Sequence, residues 1–336
     1  MTTPYSTING RSLLKLADLS GDELHAVLQL ADELKAAKAA GQRGQRLAQR
    51  NIALLFEKLS TRTRCAVTVA AVDEGASVEY LAASEIHLGK KESVADTARV
   101  LGRMFDGIMF RGFKHGTAEA LAEFAGIPVW NGLTDDYHPT QTLADLMTIR
   151  EHFGRLEGLK VAYLGDGRNN VANSLMRGCA QVGIHFVNGT PDSLRPSAEL
   201  VEQCEAIAAQ NGGSVSIESD PLVAVKGANV VYTDVWVSMG EEDVFDERVA
   251  LLRPYQVNMD LMKATGLLES NETIFLHCLP AFHDHNTEFT KDGGALEVTD
   301  DVFEAPFSKV FDLAENRMHT IKAIMVASLE RQESGA

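Results

Sequence analysis

Short apolar runs bounded by turn residues recur along the whole chain, and between most of them lie stretches patterned with the helical period. No other feature limits the fold so tightly. Strands buried on both faces read as unbroken apolar runs, and crossover helices join them, so the alternation points to α/β with parallel sheets. Ile52–Phe56, Val78–Leu81, Gly107–Phe110 and Ile127–Trp130 read as strands, with helices expected over Thr63–Glu74, Glu92–Met104 and Leu143–Phe153. The rhythm restarts at Val161–Leu164, followed by a helix to Ala180 and by strands at His185–Val187, Val215–Ile217, Val230–Tyr232 and Ile274–Leu276. A long patterned helix, about Asp312 to Leu329, comes last. Near the start, Ser20 and Glu23 form a capping-box pattern ahead of the helically spaced Leu24, Val27, Leu28, Ala31 and Leu34, and Gly41 supplies a stop.

At roughly 150 residues per domain, 336 residues make two domains the starting expectation. The rhythm pauses between Leu143 and Gly158, which places the boundary there. A chain this long buries enough surface to fold without disulfides or metals. It carries 31 Lys and Arg against 47 Asp and Glu, a formal net charge of −16. That balance argues against nucleic acid or an anionic membrane as partner, yet leaves room for a few arginines to converge in one pocket. No apolar run approaches the ~20 residues needed to cross a bilayer, and residues 1–14 lack the apolar core of a signal peptide. Cys65, Cys179, Cys204 and Cys278 are scattered with no CxxC pair, so free thiols in a reducing, cytoplasmic setting are expected.

Parallel sheets bind ligands at the carboxyl ends of their strands, so the residues after each strand carry the functional information. After Ile52–Phe56 comes Glu57-Lys58-Leu59-Ser60-Thr61-Arg62-Thr63-Arg64, in which hydroxyls and two arginines open a helix. Backbone N–H groups there favour an anion, and arginine offers a fork for phosphate oxygens. The plainer alternative is an N-cap at Ser60 or Thr61 with solvated arginines. Arg111 follows Gly107–Phe110, where a lone arginine is usually a surface charge. Asn131-Gly132 and then His138-Pro139-Thr140-Gln141 follow Ile127–Trp130. The histidine suits carbonyl polarisation or phosphate binding, unless Pro139 merely marks a helix entry. Three polar clusters on successive strand ends mean more together than singly, because the fold gathers them.

In the second half, Gly165-Asp166-Gly167-Arg168-Asn169-Asn170 follows a strand, but a GxGxxG pattern fails at Asn170, which argues against a dinucleotide cofactor. Asn173 lies one helical turn further on. Asp234 follows Val230–Tyr232 and suits an ammonium group, and Ser238-Met239-Gly240 reads as a closing loop or as a plain turn. His277-Cys278-Leu279-Pro280 follows Ile274–Leu276. Cys278 is placed like a reactive group with turn carbonyls beside it, or is simply a buried thiol. A zinc site of Cys278 with His277, His283 or His285 lacks the usual paired spacing.

Together these clusters resemble the aspartate/ornithine carbamoyltransferase family, and its ornithine branch most closely. Ser60-Thr61-Arg62-Thr63-Arg64 is similar to the family's carbamoyl-phosphate signature, and His138-Pro139-Thr140-Gln141 to its second motif. Asp234-Val235-Trp236-Val237-Ser238-Met239-Gly240 resembles the ornithine loop, and His277-Cys278-Leu279-Pro280 the cysteine motif of the ornithine branch. Glu315-Asn316-Arg317 matches at the last helix, so the motifs run in family order from residue 60 to 317. The resemblance implies two domains, each a parallel sheet flanked by helices, with the active site in the cleft between them. Residues 1–150 would form a carbamoyl-phosphate-binding domain, completed by a C-terminal helix at 317–336, and residues 151–316 an ornithine-binding domain.

The activity so implied is transfer of the carbamoyl group of carbamoyl phosphate to the δ-amine of L-ornithine, giving L-citrulline and phosphate, a reversible step of arginine metabolism. Aspartate and putrescine are the rival amines. Ser60, Thr61, Arg62 and Thr63 would hold the phosphate, while Arg111, His138 and Gln141 would contact the carbamoyl group. Cys278 and Leu279 would offer backbone carbonyls to its amide, and Arg317 would complete that end. Asn173, Asp234, Ser238 and Met239 would bind ornithine. A neighbouring subunit's loop, Ser84–Ser93, would bring His87 to carbamoyl phosphate, at a position where many relatives carry glutamine. Catalysis would rest on Arg62, Arg111, His138 and Cys278, with Cys278 near Asp234 accepting or relaying a proton. No metal or organic cofactor is required. The family forms trimers, so a cytoplasmic homotrimer or a multiple of trimers is expected.

Overall fold

The computed structural model describes every residue except 1–2, 83–85, 87, 90, 238–241, 292 and 331–336. The chain divides into two units, Met1–Met147 with Glu315–Ala336, and Thr148–Ala314. In the first, α1 (Gly21–Ala39) begins where the Glu23 N–H donates to the Ser20 hydroxyl and the Ser20 N–H donates to the Glu23 carboxylate. That reciprocal pair is the capping box read from the sequence. There follow β1 (Asn51–Phe56), α2 (Thr61–Asp73), β2 (Ser77–Ala82), α3 (Val94–Leu101), β3 (Gly107–Arg111), α4 (His115–Ala125), β4 (Val129–Leu133) and α5 (Pro139–Phe153), whose last residues belong to the second unit. The four strands are parallel in the order β2-β1-β3-β4. All of β3, and β1 beyond its first residue, are buried, as central strands covered on both faces must be.

Several boundaries differ from the sequence reading for identifiable reasons. α2 begins at Thr61 rather than Thr63 because Ser60 caps it. α3 is shorter than Glu92–Met104, with Ser93 capping one end and Gly102 closing the other. α5 begins at Pro139 rather than Leu143, since the fixed φ of proline suits a first helical position. β4 starts and ends later than Ile127–Trp130, because its ladder with β3 begins at Val129 and continues to Leu133 after a register shift between Phe110 and Arg111.

The second unit contains β5 (Lys160–Leu164), α6 (Asn170–Gln181), β6 (His185–Gly189), α7 (Ala198–Gln210), β7 (Ser214–Glu218), α8 (Pro221–Val225), β8 (Val230–Thr233), α9 (Phe245–Leu252), α10 (Met259–Ala264), β9 (Ile274–His277) and α11 (Asp300–Phe303). α12 (Val310–Leu329) starts here and returns the chain to the first unit. The five strands are parallel in the order β7-β6-β5-β8-β9. Leu164, Val231, Phe275, Trp236, Val257 and Val298 lie in its core. In each sheet the strand order reverses once, between β1 and β3 and between β5 and β8, and such points open a crevice at the carboxyl ends of the strands. Among the described residues, no helix is long and apolar enough to cross a membrane.

Candidate functional site

The first reversal point carries a cationic cluster. Ser60 has extended backbone, and its hydroxyl accepts the Thr63 N–H at 3.2 Å. α2 is 13 residues long, so its first turn presents N–H groups and the positive end of a helix dipole. Thr63 is fully buried, and its Oγ1 accepts from Arg317 at 2.9 Å and from Arg111 at 3.4 Å. Both guanidinium groups are buried too. Arg111 ends β3, while Arg317 comes from α12. That helix is tied to the rest of the unit by Lys35 on Asn316 at 2.8 Å and by the buried Lys322 on Asp73 at 2.8 Å. Burial pushes the Asp73 carboxyl up, but Lys322 and Lys38 together draw it below its ordinary range. Arg62 is half-buried and Thr61 exposed at the same helix start. Arg64 turns instead to the Tyr80 ring, 3.9 Å from its centroid, and so packs against β2.

His138 immediately precedes α5 and is buried, with Nδ1 at 3.5 Å from Thr140 Oγ1. Burial first, then the Arg317 and Arg111 charges, hold this imidazole well below the usual histidine range. It is therefore neutral at pH 7 and keeps one N–H to donate. Gln141 donates from Nε2 to Asp145 at 2.9 Å, and its Oε1 is buried with no hydrogen-bond partner among the described residues. A buried acceptor left unmet costs about 1–3 kcal/mol, so this atom suits an N–H brought by a ligand.

The second unit carries an acidic cluster. After β5, the Asp166 carboxylate accepts from the Arg168 N–H at 3.0 Å and from its guanidinium at 2.9 Å, and also pairs with Arg248. Gly167 packs so closely on Asn188, Thr190 and Leu194 that a Cβ has no room. The turn is thus committed to its own arginines and to close packing. Asn169 then caps α6 through the Val171 N–H at 2.7 Å, and Asn173 Nδ2 donates to the Arg168 carbonyl at 3.2 Å. Asp234 follows β8 and is buried. Its Oδ1 accepts from the Val235 N–H at 2.8 Å and from the Cys278 thiol at 2.9 Å. β8 and β9 are neighbours, which is why these distant residues meet.

Sequence reasoning missed Glu297 and offered His277 only as a zinc ligand. Both are fully buried. The Leu279 N–H donates to His277 Nδ1 at 2.9 Å, so Nε2 must carry the ring proton, which it donates to Glu297 Oε1 at 3.2 Å. The same oxygen accepts the Phe282 N–H at 2.7 Å. This brace holds Leu279 at φ +58°, a left-handed conformation that costs a non-glycine residue about 1–3 kcal/mol. With both ring nitrogens engaged, His277 has no lone pair for a metal, although it lies within 4.8 Å of Asp234 and Cys278. His283 pairs with Asp300 at 2.7 Å. Nothing periodic links Glu297 to His277, so no local pattern reveals it. Ser238, Met239, Gly240 and His87 lie outside the described residues, as do residues 84, 85 and 90 of the segment Ser84–Ser93.

Two family descriptions match the chain. Residues 11–151 match "Aspartate/ornithine carbamoyltransferase, carbamoyl-P binding domain", and residues 157–328 match "Aspartate/ornithine carbamoyltransferase, Asp/Orn binding domain". The chain is 57% identical over 331 residues to a catabolic ornithine carbamoyltransferase of Bacillus licheniformis, covering 96% of this chain and 98% of that one. It is 56% identical over 330 residues to the catabolic enzyme of Streptococcus gordonii, covering 96% and 97%. Among solved structures, the ornithine carbamoyltransferase of Pyrococcus furiosus is similar with a TM-score of 0.89 at 42% identity, over 96% of this chain and 98% of that one. That of Gloeobacter violaceus has a TM-score of 0.81 at 43% identity, over 95% and 98%.

Proposed function

This chain belongs to the aspartate/ornithine carbamoyltransferase family, and from that premise we infer that its reaction is transfer of the carbamoyl group from carbamoyl phosphate to the δ-amine of L-ornithine, yielding L-citrulline and phosphate. The observation that carries the choice of amine is the Cys278 thiol on Asp234 at 2.9 Å. A buried carboxylate at the end of β8 suits a cationic amine, whereas aspartate as substrate would call for cations there.

In this reading Ser60, Thr61, Arg62 and Thr63 hold the phosphate at the start of α2, where N–H groups and the helix dipole favour an anion. Arg111 and Arg317 neutralise charge on the phosphate as it leaves. His138 and Gln141 contact the carbamoyl group, the first by donating to its oxygen and the second by accepting from its amide. The backbone carbonyls of Cys278 and Leu279 accept from the same amide. Asn173, Asp234, Ser238 and Met239 bind ornithine, and His87 of a neighbouring copy contacts carbamoyl phosphate.

The chemistry follows from charge. The δ-amine is an ammonium at neutral pH and must lose a proton before it attacks. Asp234 attracts it, and the Cys278–Asp234 pair takes the proton. The nitrogen then bonds to the carbamoyl carbon, and charge builds on the carbamoyl oxygen. Donors from Arg111, Thr63 and the neutral His138 stabilise that charge. The bond from carbon to the phosphate oxygen breaks as the oxyanion collapses, phosphate departs with both electrons of that bond, and the new carbon–nitrogen centre passes its second proton to the departing phosphate, leaving neutral citrulline. Holding two reactants in fixed geometry removes much of the entropic barrier.

The assembly we infer is a homotrimer or a multiple of trimers. Val69 and Val72, one turn apart on α2, are 38% and 50% exposed, and Leu59 just before the helix is 82% exposed, apolar groups suited to cover by a second copy. Light scattering tests it, and a monomer would refute it. The four free thiols fit a reducing, cytoplasmic setting, and the inferred formation of citrulline from ornithine is what places the reaction in arginine metabolism. The decisive assay incubates purified protein with carbamoyl phosphate and ornithine, with aspartate and putrescine in parallel arms. Citrulline formation is expected; none, or faster carbamoylation of either rival amine, would sink the reading.

A further inference from the structure

His138 sits in a short loop between the end of β4 and the start of α5. A loop is ordinarily the softest part of a fold, yet the ring it carries must be placed within about 0.5 Å to act on a carbonyl. The brace that meets this demand starts at the carbonyl of Tyr137, one residue before the histidine. That oxygen accepts from the Thr134 N–H at 2.9 Å and from Asn131 Nδ2 at 3.3 Å. Asn131 Nδ2 also reaches the Leu14 carbonyl at 2.9 Å and the Thr134 hydroxyl at 3.2 Å. The Thr134 hydroxyl lies 3.1 Å from His115 Nδ1, at the start of α4, and 3.4 Å from the Tyr137 carbonyl.

Proton bookkeeping orients this chain. Thr134 has one hydroxyl proton, and the shorter contact directs it to His115 Nδ1. The His115 ring proton then sits on Nε2, 3.8 Å from the Glu119 carboxylate, where it is attracted. That tautomer needs a neutral imidazole, and burial does lower this histidine below its ordinary range, against the opposing pull of Glu119 and Asp136. The His115 ring also packs edge-on against Tyr137, with centroids 4.8 Å apart. Asn131 and Thr134 are fully buried and His115 nearly so.

We propose that His115, acting with Thr134 and Asn131, is a positioning residue that fixes the Tyr137–His138 peptide and so aims the His138 imidazole at the carbamoyl oxygen. The role rests on the carbamoyl-transfer reading above. His115→Phe keeps the ring packing and removes the acceptor, His115→Asn keeps an acceptor near the Nδ1 position, and Thr134→Val removes the hydroxyl at nearly constant shape.

His115→Phe and Thr134→Val are each expected to lower kcat about 10-fold, since small misplacements of a reacting group are costly. The Kd for inorganic phosphate, measured by calorimetry, should stay within about twofold, because the phosphate contacts lie on other loops. His115→Asn should recover most of the rate. The double variant should be no slower than the worse single one, since both break one chain. Amide exchange over residues 134–138 should quicken in both single variants while that of β1 stays unchanged. Unchanged kcat in both, losses that multiply in the double variant, or phosphate affinity falling in step with kcat would overturn the role. Should His115→Phe fail to fold, Thr134→Val carries the same test. Wild-type protein that forms no citrulline would sink the functional reading instead, and the exchange measurement would then decide, with unchanged exchange overturning the brace.

Discussion

The cationic cluster of the first unit and the acidic cluster of the second occupy corresponding places in two parallel sheets, yet they manage charge differently. Around Thr63, Arg111 and Arg317 are buried close together beside a histidine that stays neutral. Their positive charge is met by polar oxygens and suits an anion. Around Asp234, the charge is met from within, by a backbone N–H and a thiol, while the His277 ring donates to Glu297 a residue away. We read the first arrangement as one for a phosphate and the second as one that draws in one ammonium and moves one proton. The net charge of −16 describes neither, because a site's sign is set by a few converging side chains.

The contrast can be broken from either side. Arg111→Ala removes a buried cation that we propose meets growing charge, and turnover should fall by about 10³-fold; steady-state rates near those of the wild type would refute that role. Cys278→Ala should cost about 10²-fold in turnover and alter the pH profile of kcat, as loss of a proton acceptor does, while phosphate affinity stays unchanged. An unaltered profile would remove the relay. Glu297→Leu leaves the His277 Nε2–H without its acceptor and favours the other tautomer, which sets N–H against N–H at Leu279. About a 10-fold loss in kcat is expected, with Glu297→Gln close to wild type because an amide oxygen still accepts; equal losses in both would show that charge, and not the tautomer, matters. Thr63→Val keeps the shape and removes the acceptor shared by two arginines, so the carbamoyl phosphate KM should rise about 5-fold.

The smallest effect concerns acid stability. Because the folded-state pKa of His138 is depressed, the unfolded chain takes up a proton that the native chain refuses once pH drops below the ordinary value of 6.5. Stability is therefore complete above that value and is lost as pH falls through it. Thermal unfolding between about pH 7.5 and 5 should show a shallower loss in His138→Gln than in the wild type. Parallel curves would mean that His138 is not the buried neutral group described.

Much of this was legible locally. Apolar runs marked the strands, Ser20 with Glu23 marked a helix start, and the strand-end positions of Ser60, Arg111, His138, Asp234 and Cys278 singled them out. Those signals act within about one helical turn, where backbone and side chain settle their hydrogen bonds. α4 and α7 were not read from the sequence, although Ser197 caps α7 and Gly126 closes α4 in a left-handed conformation. The His138 brace and the His277–Glu297 pair were invisible, because their members lie on different elements.

The residue order thus decided the elements, their buried faces and which side chains stand at the strand ends, since these depend on neighbours along the chain. Only three-dimensional folding decided which strand ends adjoin. Strand order set β1 beside β3 and β8 beside β9, and α12 returned Arg317 to Thr63 across a separation of 254 residues. Contacts of that range are selected by packing of the whole sheet and burial of its faces, and leave no periodic trace in the sequence.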